Sequence, residues 1–171
     1  MKTSETQRQI VSVKINADVT FESFVKSFQK RLGKFDQAAI AALMGQPREA
    51  AAAIQGMEGD QGLMIFFALD HGRALTMVGK SQKAIRFILG NPLVAIQMTQ
   101  HDVRAGQYVP LTLIAYEHEE NRVRIEYDQP SSILGACENA EVDKTARELD
   151  RKLRLVVEHA IEDASSATGR K

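Results

Sequence analysis

The stretch PLTLIAYEHEENRVRIEYD, residues 110–128, decides the fold class. PLTLIAYE and NRVRIEYD each alternate in the manner of half-buried strands, and only a short acidic turn separates them. Two such runs joined so closely form a β-hairpin. A hairpin is antiparallel, so the chain is not a doubly wound parallel sheet, and an α+β layer structure is expected instead.

Further strands lie upstream. KAIRFILG, residues 83–90, sets Ile85, Phe87 and Leu89 against Ala84, Arg86 and Ile88. LMIFFAL, residues 63–69, is apolar on both faces and is expected to be a buried central strand. In QIVSVKI, residues 9–15, Val11, Val13 and Ile15 alternate with Ser12 and Lys14. The sheet therefore has about five strands, largely antiparallel. Helices pack mainly on one face, and Ser12, Lys14, Arg86, Thr112, Arg124 and Glu126 fall on the other. That second face is either a solvated surface or a ligand or partner surface carrying two arginines.

The intervening segments read as helices. Phe21, Phe24, Val25, Phe28 and Leu32 share one face of a helix that Asp18 or Thr20 caps and Gly33 ends. Residues 36–57 are alanine-rich and broken at Gly45 and Pro47, which predicts two short helices at 37–44 and 47–55. A short helix is expected at 73–78. Asn91 as N-cap and Pro92 at the first helical position open a helix over 92–101. Asn139 caps a long helix over 139–164, whose stripe of Leu149, Leu153, Val156, Val157, Ala160 and Ile161 covers its own sheet or a second protomer. The expected organisation is a core at 8–135 with a helical insertion at about 36–57, the helix at 139–164, and a disordered tail at 165–171.

Composition narrows the function classes. Lys plus Arg number 22 and Asp plus Glu number 22, so no bulk charge favours nucleic acid or an anionic membrane. Tryptophan is absent, which weakens a base-stacking role. Cys137 is the lone cysteine, so no intrachain disulfide forms, in keeping with a reducing compartment. The first residues lack the apolar core of a signal peptide, and the run Leu63–Leu69 is too short to span a bilayer. A cytoplasmic protein without nucleic-acid or membrane partners is expected.

HGRALTMVGKS, residues 71–81, ends like a phosphate loop. That loop needs two glycines five positions apart, after a strand and before a helix. Here Gly72 and Gly79 are seven apart, Ala74 occupies the first glycine's place, and a strand follows. The segment is a turn with Gly79 at a helix C-cap.

FFALDHGRAL, FILGNPLVAIQM, VPLTLIAYE and VRIEYDQP together resemble the family known as domain of unknown function 302. The positions that carry the likeness are Asp70 and His71, then Gly90, Asn91 and Pro92, then Met98, Pro110, Tyr127 and Asp128. The resemblance covers residues 63–134 well and 8–33 loosely. Residues 36–57 look like an insertion and the helix from 139 like an extension. Val109 stands where the family has Leu, and Gln129 separates Asp128 from Pro130. The resemblance implies a small α+β domain and leaves the reaction open.

The candidate site is a pocket where the strand end at Asp70 and His71 meets the helix start at Asn91 and Pro92, with Met98 lining the wall. Free N–H groups at that helix start suit a small polar or anionic ligand, in a homodimeric binding or regulatory module. One rival is an enzyme using His71 as general acid or base. Another is a non-covalent haem or metal binder through His71, Met98 or His101, the last two lying three apart on one helix. Cys137 near a helix start reads as a small buried residue, and Glu117, Glu119 and Glu120 as a solvated hairpin tip. No particular cofactor is indicated.

Overall fold

A computed structural model of the chain describes residues 1–119 and 122–168. The hairpin supplies the second and third strands of one six-stranded sheet. Its strands β1 (Ser12–Ala17), β2 (Gly33–Lys34), β3 (Met64–Asp70), β4 (Ala84–Gly90), β5 (Leu111–Glu119) and β6 (Arg122–Asp128) lie in the order β1-β6-β5-β4-β3-β2. Every neighbouring pair is antiparallel except β2–β3. Glu120, expected at the hairpin tip, lies outside the described residues.

One face of the sheet is dry. Val13, Ile15, Phe87, Leu113, Ile125 and their neighbours meet α1 (Phe21–Arg31) and α7 (Ala140–Thr168). Phe24 stacks on Phe28 at 5.5 Å, and Phe28 reaches Phe87 at 5.1 Å, joining helix to sheet. Of the two candidate caps for α1, Thr20 is used: its Oγ1 accepts the Ser23 amide at 3.2 Å. Asn139 caps α7 through the amides of Glu141 and Val142.

The other face carries the six residues assigned to it. Cross-strand register sets Lys14, Glu126, Ile114, Arg86 and Leu69 in one row. A second row runs Ser12, Asp128, Thr112, Ile88 and Phe67, the step from Asp128 to Thr112 continuing the neighbouring Leu113–Tyr127 pair.

Three expectations are corrected. First, the sheet has six strands, because the residues around Gly33 form a further short strand and do not merely end α1. Gly33 and Phe35 donate to the Leu63 and Ile65 carbonyls, both at 3.0 Å. Second, LMIFFAL is not a buried central strand. Only two-residue β2 lies beyond β3, and helices cover one face, so Phe67 is 56% exposed. Third, α7 continues to Thr168, so residues 165–168 belong to a helix where a tail was expected. The helices α2 (Gln37–Ala41), α3 (Pro47–Gly56) and α5 (Pro92–Thr99) start where the sequence places them, whereas α4 (His71–Leu75) begins two residues ahead of the expected 73–78, so His71 opens a helix instead of ending the strand. The sequence reading missed α6 (Pro130–Leu134), whose first turn is held from α7: Asp150 accepts the Ser131 amide at 2.8 Å and its hydroxyl at 2.6 Å.

β2 fits because two glycines let backbones touch. A Cβ at Gly33 would lie 1.8 Å from the Met57 carbonyl oxygen, and one at Gly59 would lie 2.1 Å from the Gly33 nitrogen. At Gly56 a Cβ meets open space. Gly33→Ala is therefore expected to cost about 3 kcal/mol or more by overpacking against backbone, whereas Gly56→Ala gains roughly 0.5 kcal/mol. Urea unfolding of the two variants beside the parent checks both signs.

Candidate functional site

β4 passes from Gly90 into Asn91, which caps α5 and is 7% exposed. Its Oδ1 accepts the Leu93 amide at 2.8 Å, the N-cap bond that asparagine is suited to make. Its Nδ2 donates to Glu58 Oε1 at 2.6 Å and to the Gly62 carbonyl at 2.8 Å. The side chain is thus committed to its own frame. The helix start is folded onto residues 58–62 rather than presented to an anion.

The same loop is gripped from behind. Asp60 Oδ2 stands 2.7 Å from His159 Nδ1 and receives Arg31 at 3.2 Å, and Arg31 Nε also donates to Asp163 at 2.7 Å. Burial pushes the Asp60 carboxyl up, but hydrogen bonds from His159, Gln61 and Arg31 outweigh it and leave the pKa below the usual carboxylate value. Asp163 is likewise lowered, chiefly by its hydrogen bond from Arg31.

In front of Asn91 lies a cleft of about 180 Å³. Pro92, Val94, Ala95 and Met98 of α5 form one wall. Val109, the cis residue Pro110, Leu111 and Leu149 of α7 line the cleft as well. Phe66 arrives by a β-bulge: the register of β3 against β4 shifts between Ile65 and Phe67, which leaves Phe66 as the extra residue. Bulges re-aim side chains in this way. Phe66 lines the cleft and packs on Phe35 at 4.6 Å, while its neighbour Phe67 faces outward. Apart from Asn91 the lining is entirely apolar in residue type.

The structure divides the residues assigned to one pocket. Asn91, Pro92 and Met98 meet at the cleft. Asp70 and His71 do not join them. Met64 pairs with Gly90 but Asp70 pairs with Ile85, so the antiparallel register sets the two groups at opposite ends of β3 and β4. Asp70 is the N-cap of α4 and accepts the Arg73 amide at 2.8 Å; it does not orient His71. His71 is exposed and lines a basin of about 360 Å³ on the open sheet face, beside Arg86, Glu126 and Asp128. Met98 is fully buried in the core, whereas His101 lies past the end of α5 and is exposed, so the two do not share a face. Among the described residues no group of three or more His, Cys, Asp or Glu side chains is placed to hold a metal ion.

The remaining candidates are structural. Gly79 has φ 71° and ends a 3₁₀ turn at Thr76–Val78, in the segment between α4 and β4. Cys137 is buried, and burial raises its thiol pKa, opposite to an activated cysteine. Glu117 pairs with Lys83, and Glu119 with Arg122. Glu58, Phe66 and Leu149 were missed as site residues. The bulge that places Phe66 leaves no local signature, because it shows only in the register of β3 against β4.

The model of domain of unknown function DUF302 matches residues 41–160. The chain belongs to the DUF302 family. The matched span begins inside the helical pair and reaches into α7, so neither segment stands wholly apart from the family's span. The crystal structure of an uncharacterized conserved DUF302 protein from Bacillus stearothermophilus shares the fold. It superposes with a TM-score of 0.63 over 87% of this chain and 97% of its own, at 12% sequence identity. No curated protein matches the chain significantly. None of the described helices of this DUF302 chain is long and apolar enough to cross a membrane.

Two predictions follow from the frame. Asn91→Ala removes a cap and strands the Gly62 carbonyl, so a loss of about 2–3 kcal/mol is expected in denaturant unfolding. Asp60 contributes stability above the ordinary aspartate pKa, near about 4, and that contribution is lost as pH falls through its lowered folded value. Asp60→Asn should therefore be less stable than the parent at neutral pH and should flatten the decline in acid, measured as urea midpoints at neutral and acidic pH.

Proposed function

We propose that this DUF302 chain is a small cytoplasmic binding or regulatory module that works as a homodimer and takes its ligand in the cleft beside Asn91, Pro92 and Met98. The observation that carries this reading is a preformed apolar cleft whose one polar side chain is already satisfied. An apolar cavity of roughly 150 Å³ stays dry and accepts benzene. The cleft, at about 180 Å³, is of that order. The ligand it suits is a small apolar molecule, or the ring or branched end of a larger one. A polar or anionic ligand, suggested by the helix start alone, is disfavoured because Asn91 closes that helix on itself. Ligand pockets of this kind are mostly apolar and largely preformed. The buried lone thiol of Cys137 suits a reducing compartment.

Benzene titrated into the protein and followed by NMR at the Met98 methyl group tests the reading. A saturable shift is expected in the parent and in His71→Ala. Ala95→Phe, which places a ring in the cleft from a partly exposed helix position, should weaken binding by about tenfold or more for roughly 1.4 kcal/mol of lost contact. A Met98 resonance that does not move in the parent would remove the cleft as a site. Native mass spectrometry of protein from its own host then reports any retained apolar molecule.

A further inference from the structure

The cleft has a polar neighbour. Val94 of α5 and Leu149 of α7, which line it, also line a smaller recess of about 80 Å³ between the same two helices. The two cavities adjoin at this pair of side chains. The rest of the recess is polar: Gln97, Thr145, Glu148 and Lys152. Gln97 follows Val94 on α5, and Lys152 follows Leu149 on α7, each by three residues. Three residues advance a helix by about 4.5 Å, so the polar groups stand roughly one turn beyond the apolar lining.

Lys152 is the charged group a ligand would meet there. Its side chain is only 20% exposed, and its one described partner is Glu148 Oε1 at 3.3 Å, one turn earlier on the same helix. An ammonium carries three donors, so capacity remains for a further acceptor. Glu148 is itself 54% exposed, and ion pairs at this spacing on a helix surface are weak. The Gln97 side-chain amide makes no hydrogen bond with any described residue. The Thr145 hydroxyl is already used on the Glu141 carbonyl at 3.3 Å. The recess thus keeps unused donors beside an apolar cavity, unlike the Asn91 corner, where the amide side chain is committed.

We propose that the ligand of the cleft is an amphipathic carboxylic acid. Its aromatic or branched end lies against Phe66 and Met98, and its carboxylate is received by Lys152 in the adjoining recess, with the Gln97 amide as a second donor. This rests on the cleft reading above and names the chemical class of its ligand. A hydrocarbon fills the first cavity and leaves the Lys152 donors idle. An inorganic anion meets Lys152 and buries no apolar surface. A molecule with both ends uses both cavities. Its carboxylate replaces that of Glu148, whose exposed side chain turns to water, so the ammonium exchanges one anionic partner for another and is never left unpaired.

Phenylacetate and phenylacetamide, titrated separately and followed by NMR at the Met98 methyl group, test the assignment. The two share a ring and a shape and differ in the charge of the head. In the parent, phenylacetate should bind about tenfold more tightly, because hydrogen bonds to charged groups are the stronger ones. The ratio of the two dissociation constants is the readout. Lys152→Met keeps the apolar stem, removes the charge and should bring that ratio close to one. Glu148→Gln removes the competing carboxylate at an exposed position and should raise the ratio above the parent's. A parent that shifts with both compounds and does not prefer the acid, or a Lys152→Met variant that keeps the preference, would overturn the assignment and leave the cleft standing. Should Lys152→Met fail to fold by circular dichroism, a Glu148→Gln ratio no higher than the parent's would overturn it instead. A Met98 methyl group that neither compound nor benzene moves would remove the cleft reading and this assignment together.

Discussion

The antiparallel pairing of β3 with β4 governs where chemistry can gather in this protein. Because Met64 faces Gly90 and Asp70 faces Ile85, residues that leave β3 and residues that leave β4 depart from opposite ends. His71 is carried to the open face, and Asn91 is carried to the helix-covered side. Two segments that look like partners in sequence are kept a strand's length apart by backbone hydrogen bonds. A bulge within the same pair then recruits Phe66 to the second location.

The Asn91 corner is rigid for an identifiable reason. One amide side chain makes three hydrogen bonds that tie α5 to the 58–62 loop, and that loop is tied through Asp60 to α1 and α7. No described buried side-chain nitrogen or oxygen lacks a partner. The cleft in front is lined by apolar residues, and the one polar side chain among them is spent on its own frame. The basin around His71 has the opposite character. It is open, charged and built on the flat face of a sheet.

Local chemistry made much of the fold legible. The hairpin, the Asn91–Pro92 helix start, the α1 stripe and the capping of α7 by Asn139 are each written within a few residues, and each is found where the sequence places it. What failed was long-range. A two-residue strand has no periodicity to detect, and the Gly33–Gly59 contact that admits it joins segments far apart in the chain. LMIFFAL is apolar enough for a central strand, yet apolar content does not report how many strands lie beyond it. The site was half legible for the same reason. Asn91, Pro92 and Met98 lie within one helix and were found together, whereas Phe66, Glu58 and Leu149 reach them only through tertiary packing.

The last helix carries a mechanical consequence. Leu149 touches the cleft, and the next residue, Asp150, holds Ser131 at the start of α6, just beyond the end of β6. Adjacent residues on one helix move together. Any tilt of α7 that widens or narrows the cleft at Leu149 must pull on the carboxylate at 150, and so on the strand whose Glu126 and Asp128 look out from the uncovered side of the sheet.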